Sequence, residues 1–168
     1  MEPFVITRIL DAPPEEVFRT WTEPGRIERW WGPKGCAARV RKLELRPGGV
    51  FHYSMQTPDG PALWGKWIFR EVAAPHRLVF TNSFADEACN IARHPFAPDW
   101  PLETLTTIEF AGRGAGTALT ITWAPLNPTE AEARAFDGGR DSMQKGWTGT
   151  LDQLSDYLNQ QPKEKPCR

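Results

Sequence analysis

Residues 143–158 read MQKGWTGTLDQLSDYL, and Met143, Trp147, Leu151, Leu154 and Leu158 recur there at spacings of four, four, three and four. That period places all five on one face of an α-helix, so this segment is a long amphipathic helix with an apolar stripe to bury. Its start is marked upstream. Thr129 and Glu132 stand at capping-box spacing behind Pro128, and Gly138-Gly139 falls where a first helical piece breaks before the long one begins.

What the helix covers is written between Ala37 and Trp123. Runs of β-favouring residues at Ala37–Leu45, Val50–Gln56, Trp64–Val72, Arg77–Asn82, Leu102–Ala111 and Thr117–Trp123 are separated by Pro47-Gly48-Gly49, Asp59-Gly60, an Ala-Ala-Pro turn and Gly112–Gly116. This is an antiparallel meander. A further strand, Phe4–Leu10, precedes it, followed by two short helices. The first begins at Pro13-Pro14 with Asp11 as its cap and Val17, Phe18 and Trp21 on one side. The second runs from Pro24, presents Ile27, Trp30 and Trp31, and stops at Gly32-Pro33. An antiparallel sheet can leave one face in water, but the other needs a cover. Only the last helix is long enough to supply it. The fold class expected is α+β: a curved antiparallel sheet wrapped around a long C-terminal helix, in one domain over residues 1–161 with a flexible tail at 162–168.

Strand alternation selects the side chains that face the helix. Phe51, Tyr53 and Met55 share one face, as do Trp67 with Phe69, Leu78 with Phe80, Ile108 with Phe110, and Leu119 with Ile121 and Trp123. Met143 and Trp147 look back at them. A sheet that curves around one helix tends to leave a void where it flares away. An apolar, aromatic lining is what small-molecule sites use. The segment between Asn82 and Leu102, with Pro95, Pro98 and Pro101 among Phe84, His94, Phe96 and Trp100, is long for a connection in a compact domain. It is either a lid on that void or a cover for a sheet edge. The candidate ligand-binding residues are Trp31, Phe51, Tyr53, Met55, Trp67, Phe69, Phe80, Phe84, His94, Ile108, Trp123, Met143 and Trp147.

Motifs in chain order carry a family resemblance. Ile6-Thr7-Arg8, Asp11-Ala12-Pro13, Val17-Phe18, Trp30-Trp31-Gly32-Pro33, Arg46-Pro47-Gly48-Gly49, Arg70-Glu71-Val72, Arg77-Leu78-Val79-Phe80 and Gly146-Trp147 leading to Leu151, Leu154 and Leu158 resemble the AHSA family. These are homologues of the activator of the 90-kDa heat-shock chaperone's ATPase, within the SRPBCC/START-like superfamily. The resemblance runs from about Phe4 to Leu158. It implies a helix-grip (START-like, Bet v 1-like) fold with a pocket between sheet and long helix, but no single function. Members are associated with chaperone activation, with sequestration of small molecules and, in distant branches, with polyketide cyclisation. The function expected is binding of a small apolar molecule. The alternatives are a module that docks on the 90-kDa chaperone and a cyclase- or hydrolase-like enzyme using the same cavity.

Composition narrows the field further. A formal net charge of −1 over 168 residues gives no reason to expect nucleic acid or an anionic membrane as partner. Three widely spaced cysteines, Cys36, Cys89 and Cys167, make neither a disulfide framework nor a zinc pattern, so no metal and no cofactor is expected. The N-terminus lacks a signal-peptide pattern and no stretch is apolar enough to span a bilayer, which points to the cytoplasm. An exposed strand edge or the Trp-rich first helices are candidate surfaces for a homodimer. No catalytic residue set is recognised. His94, with Asp86 and Glu87 nearby in sequence, is the best-placed group for proton transfer. His52 is expected to point outward as a solvated strand residue, and Arg8, Arg46 and Arg70 to lie on the wet face.

Overall fold

The computed structural model describes residues 2–33 and 35–160; the expected tail at 162–168 lies outside them. The elements are β1 (Phe4–Leu10), α1 (Pro14–Thr22), α2 (Pro24–Trp30), β2 (Ala37–Leu43), β3 (Val50–Gln56), β4 (Ala62–Ala73), β5 (Arg77–Ala85), β6 (Ile91–Ala92), β7 (Thr104–Arg113), β8 (Gly116–Pro125), α3 (Glu130–Gly138) and α4 (Arg140–Gln160). The strands form one antiparallel sheet in the order β1-β8-β7-β5-β4-β3-β2, with β6 paired to β5. From β2 to β8 this is the expected meander. β1 closes the far edge on β8, with Phe4 opposite Trp123 and Leu10 opposite Thr117. Helices α1 and α2 therefore carry the chain from one edge of the sheet to the other.

Two local readings change. Asp11 is not the cap of α1: Pro13 occupies the N-cap, with no side-chain cap, and Pro14 opens the helix. The fixed φ of proline suits that entry without a capping oxygen. Upstream, the Thr117 hydroxyl donates to Ala12 O at 2.7 Å and holds the Asp-Ala-Pro turn against β8. The first strand of the meander also ends at Leu43 rather than Leu45. There Glu44 turns back on Val50, its N–H donating to Val50 O at 3.0 Å and its carboxylate accepting from Val50 N.

The core lies at one end of the concave face. Phe51, Trp67, Phe69, Phe80 and Ile108 pack with Leu151, Leu154 and Leu158 of α4 and with Val17, Phe18 and Trp21 of α1. The Trp30-Trp31-Gly32 segment ties to the same helix, because the Gln153 side-chain amide donates to the carbonyls of both Trp30 and Gly32. The Trp30 indole donates to Thr20 O at 2.9 Å. Nearer the start of α4 a second cluster forms around Phe4, Phe136 and Met143, with Trp100, Trp123 and Trp147 packed against it. Among the described residues no helix is long and apolar enough to cross a membrane.

Candidate functional site

Between the two clusters the sheet and α4 part. The gap is a cavity of about 880 Å³, within the roughly 300–1,000 Å³ usual for small-ligand sites. Its sheet side is built from inward positions at the far ends of β3, β4, β5, β7 and β8: Tyr53, Gly65, Asn82, Phe84, Thr104 and Trp123. Its helix side is the first half of α4, from Ser142 and Met143 through Gly146 and Trp147 to Thr150. Trp31 and Met55 close one end.

The long segment after β5 has two parts. First, β5 runs on to Ala85, past the start of β7, and β6 pairs with that unsupported stretch through Phe84 opposite Ala92 and Ala85 opposite Ile91. Residues 94–101 then cross the cavity mouth, lining it with His94, Ala97, Pro98, Asp99, Trp100 and Pro101. Edge cover and cavity cover thus occupy successive pieces of one segment. The covering piece is pinned. Trp100 packs against Trp123 and Phe136, each at 5.7 Å between ring centroids. Glu132 accepts from the Arg93 guanidinium at 2.9 Å and from Leu102 N at 2.8 Å with one oxygen, and from Thr129 N at 2.9 Å with the other. With its side chain only 8% exposed, this carboxylate is held at a pKa of about 2, first by the Thr129 N–H, then by Arg93 and the Leu102 N–H. The capping box predicted from Thr129 and Glu132 is present. It does a second job as the anchor of the cover.

The expected site residues separate into two groups. Trp31, Tyr53, Met55, Phe84, His94, Trp123, Met143 and Trp147 stand on the cavity wall. Phe51, Trp67, Phe69, Phe80 and Ile108 do not: they share the same face but lie within the solid core, where α1 and the second half of α4 reach them. Trp67 and Phe80 stack at 3.9 Å between centroids. Sequence reasoning missed Asn82 and Thr104, and named Trp100 in the covering segment without placing it among the binding residues. Alternation from Leu78 and Phe80 does place Asn82 inward, and its polarity within an aromatic face was the available signal.

Polar chemistry on the wall is sparse. The Tyr53 phenol lies over Gly65, its partner across the β3–β4 ladder, and burial raises its pKa to about 12, so it stays protonated. Asn82 Oδ1 accepts from the hydroxyls of Thr104 and, at 3.0 Å, Thr106. His94 packs on Phe84 at 4.5 Å and accepts Phe96 N at Nδ1, 3.0 Å away, which leaves the proton of the neutral ring on Nε2. Burial lowers its pKa. Asp86 does not join it; that carboxylate accepts from the Asn90 backbone and side-chain amides.

Two further expectations are corrected on the other surfaces, and one stands. His52 does point to the outer face, but it is buried, not solvated. Trp64 stacks on it at 5.0 Å, and its Nε2 meets Asp86 O at 3.0 Å, because the turn after β5 folds over it. Lys66 Nζ holds the same turn by donating to Cys89 O at 2.9 Å. Arg8 turns toward the helix side instead of the wet face and pairs with Asp152 of α4 at 2.8 Å. Arg46 is exposed, as expected, and pairs with Glu44 at 3.1 Å.

A curved antiparallel sheet gripping one long C-terminal helix over a largely apolar cavity defines the helix-grip class. Within that class, residues 11–159 match the family model described as activator of Hsp90 ATPase homolog 1-like protein, and the chain belongs to this family. Solved structures similar to it include a protein from Mycobacterium smegmatis, 28% identical over 94% of this chain and 91% of that one, with a TM-score of 0.74. A protein from Arthrobacter aurescens is 27% identical over 99% and 92%, with a TM-score of 0.78. One from Staphylococcus epidermidis is 25% identical over 99% and 95%, with a TM-score of 0.74. Comparison with curated proteins finds no match.

Proposed function

We propose that this protein binds a small, mostly apolar molecule in the cavity between the sheet and α4. The observation that carries the reading is the cavity itself: about 880 Å³ of space inside the fold, walled by Trp31, Tyr53, Phe84, Trp100, Trp123 and Trp147. Close-packed interiors rarely leave voids much larger than a water molecule. Gly146 lies on α4 facing the space, and a Cβ built there meets nothing within 4 Å. The family supports the reading through its helix-grip fold.

The test uses that glycine. Gly146→Phe projects a ring into the cavity without displacing a neighbour, and it replaces a helix-interior glycine, a residue that costs ~0.5–1 kcal/mol relative to alanine there. Native mass spectrometry of the wild-type chain, purified without denaturant, is expected to show a retained small molecule; the Gly146→Phe chain is expected to fold and carry none. Equal retention by both chains would place the molecule elsewhere and end the proposal.

A further inference from the structure

The Tyr53 phenol on the cavity wall has donors beside it and no acceptor for its own proton. Tyr53 is 6% exposed. The indole nitrogens of Trp31 and Trp67 approach its oxygen, yet both remain without an aligned partner, as does that of Trp123. Indole N–H groups only donate, so any proton they direct at the phenol oxygen leaves the phenol O–H to be used elsewhere. No acceptor for that proton occurs among the hydrogen bonds of the described residues. Asn82 is arranged alike. Two threonine hydroxyls hold its Oδ1, which leaves the Nδ2 hydrogens as its free end on the cavity wall.

Neither the phenol O–H nor the Nδ2 end is given an acceptor among the described residues, so both are free to meet a bound molecule. Charge restricts what could satisfy these. Among the described residues the wall carries Asp99 and His94 as its ionisable side chains besides Tyr53, and neither lysine nor arginine. A carboxylate or phosphate would enter without a counter-charge, beside an acidic residue. A neutral oxygen meets the donors without that cost.

We infer that the cavity selects an apolar molecule bearing a neutral hydrogen-bond acceptor, a carbonyl oxygen above all, seated against Tyr53 and Asn82. This rests on the proposed binding function and adds its chemical class.

The test compares two probes of nearly the same shape, 2-acetylnaphthalene and 2-isopropenylnaphthalene, which differ by an oxygen in place of a methylene. Isothermal titration calorimetry on the full chain is expected to give the ketone about 3- to 10-fold tighter binding, the worth of a neutral hydrogen bond. Tyr53→Phe removes one donor and keeps the ring. Asn82→Asp keeps an oxygen for the two threonines and replaces only the donor end. Each variant is expected to lose most of the ketone preference, read as the ratio of the two affinities, which a merely structural role would not change. Should both probes bind all three chains in an unchanged ratio, the acceptor subsite is refuted while the apolar cavity stands. Should neither probe bind the wild type, the binding reading fails and this inference with it.

Discussion

The cavity floor depends on a glycine that the sheet has no backbone reason to contain. Gly65 sits in the interior of β4 opposite Tyr53, and glycine there weakens a strand. A Cβ at this position would lie within the van der Waals envelope of the Tyr53 ring, 2.8 Å from Cε1 and nearer still to Cζ and the hydroxyl. The phenol cannot retreat easily, because it stacks on Phe51 at 4.7 Å and meets Trp31 and Trp67 edge-on at 6.1 and 6.2 Å. Gly65→Ala must therefore drive Tyr53 off its rotamer into the cavity, at ~1–3 kcal/mol, the range for overpacking. Removing the ring removes the conflict. In a Tyr53→Val background the same alanine should be neutral, or stabilising by up to ~1 kcal/mol through the lost glycine entropy. The two substitutions should thus couple by ~1–4 kcal/mol, beyond the additivity expected of independent sites. Urea unfolding of the four chains of the cycle measures this. If Gly65→Ala costs the same in both backgrounds, the phenol does not rest on residue 65, and the floor is not built as described.

Two more outcomes follow from the pinned cover and the divided helix. Because the Glu132 pKa of about 2 lies below its ordinary 4.5, the carboxylate's stabilisation is complete above about pH 4.5 and is lost as pH falls toward 2. Glu132→Gln should lower stability at pH 7 by ~2–3 kcal/mol, the scale of a charged hydrogen bond, and should flatten that acid limb in denaturant midpoints; parallel limbs would remove Glu132 as the anchor. On α4, Leu151 is fully buried, whereas Trp147 is half-buried on the cavity wall. Leu151→Ala should cost ~2–5 kcal/mol and spare ligand affinity, and Trp147→Ala should cost less and change affinity more, a reversal of the two effects being the refuting result.

Much of the architecture was legible because turns and periodicity are local. Val50–Gln56 has the bounds that its flanking turns predict, and the Met143–Leu158 stripe is the buried face of α4 apart from a half-exposed Trp147. The division between core and cavity was not legible. Alternation assigns Phe51 and Tyr53 to one face but is silent on which end of the strand α4 approaches. Phe51 meets the half of the sheet that α1 and Leu151 fill, and Tyr53 meets the half they leave open. His52 shows the same limit from outside: its face was readable, but its burial depends on a turn that begins with Asp86, far along the chain. The β1–β8 pairing is likewise set by long-range closure.

Glycine is where local and global readings diverge most, and the divergence is informative. Taken alone, Gly146 is a defect in a helix that must cover a sheet, since alanine there would favour the helix by ~0.5–1 kcal/mol. In the fold it lines the cavity, and a Cβ there meets nothing within 4 Å. Gly138 also faces the cavity with nothing within 4 Å, and a Cβ on Gly139 would touch Trp100 at 3.4 Å. The glycine pair lets α3 stop short and bring Phe136 beneath the Trp100 anchor, while α4 starts afresh along the cavity. Gly146 inside α4 and the glycine pair that ends α3 thus gather on one wall, opposite the glycine that weakens β4. Local rules broken together around one space are the pattern expected of a functional site rather than of a stability optimum. Here the common consequence of all four is volume, which a packed core would have no use for.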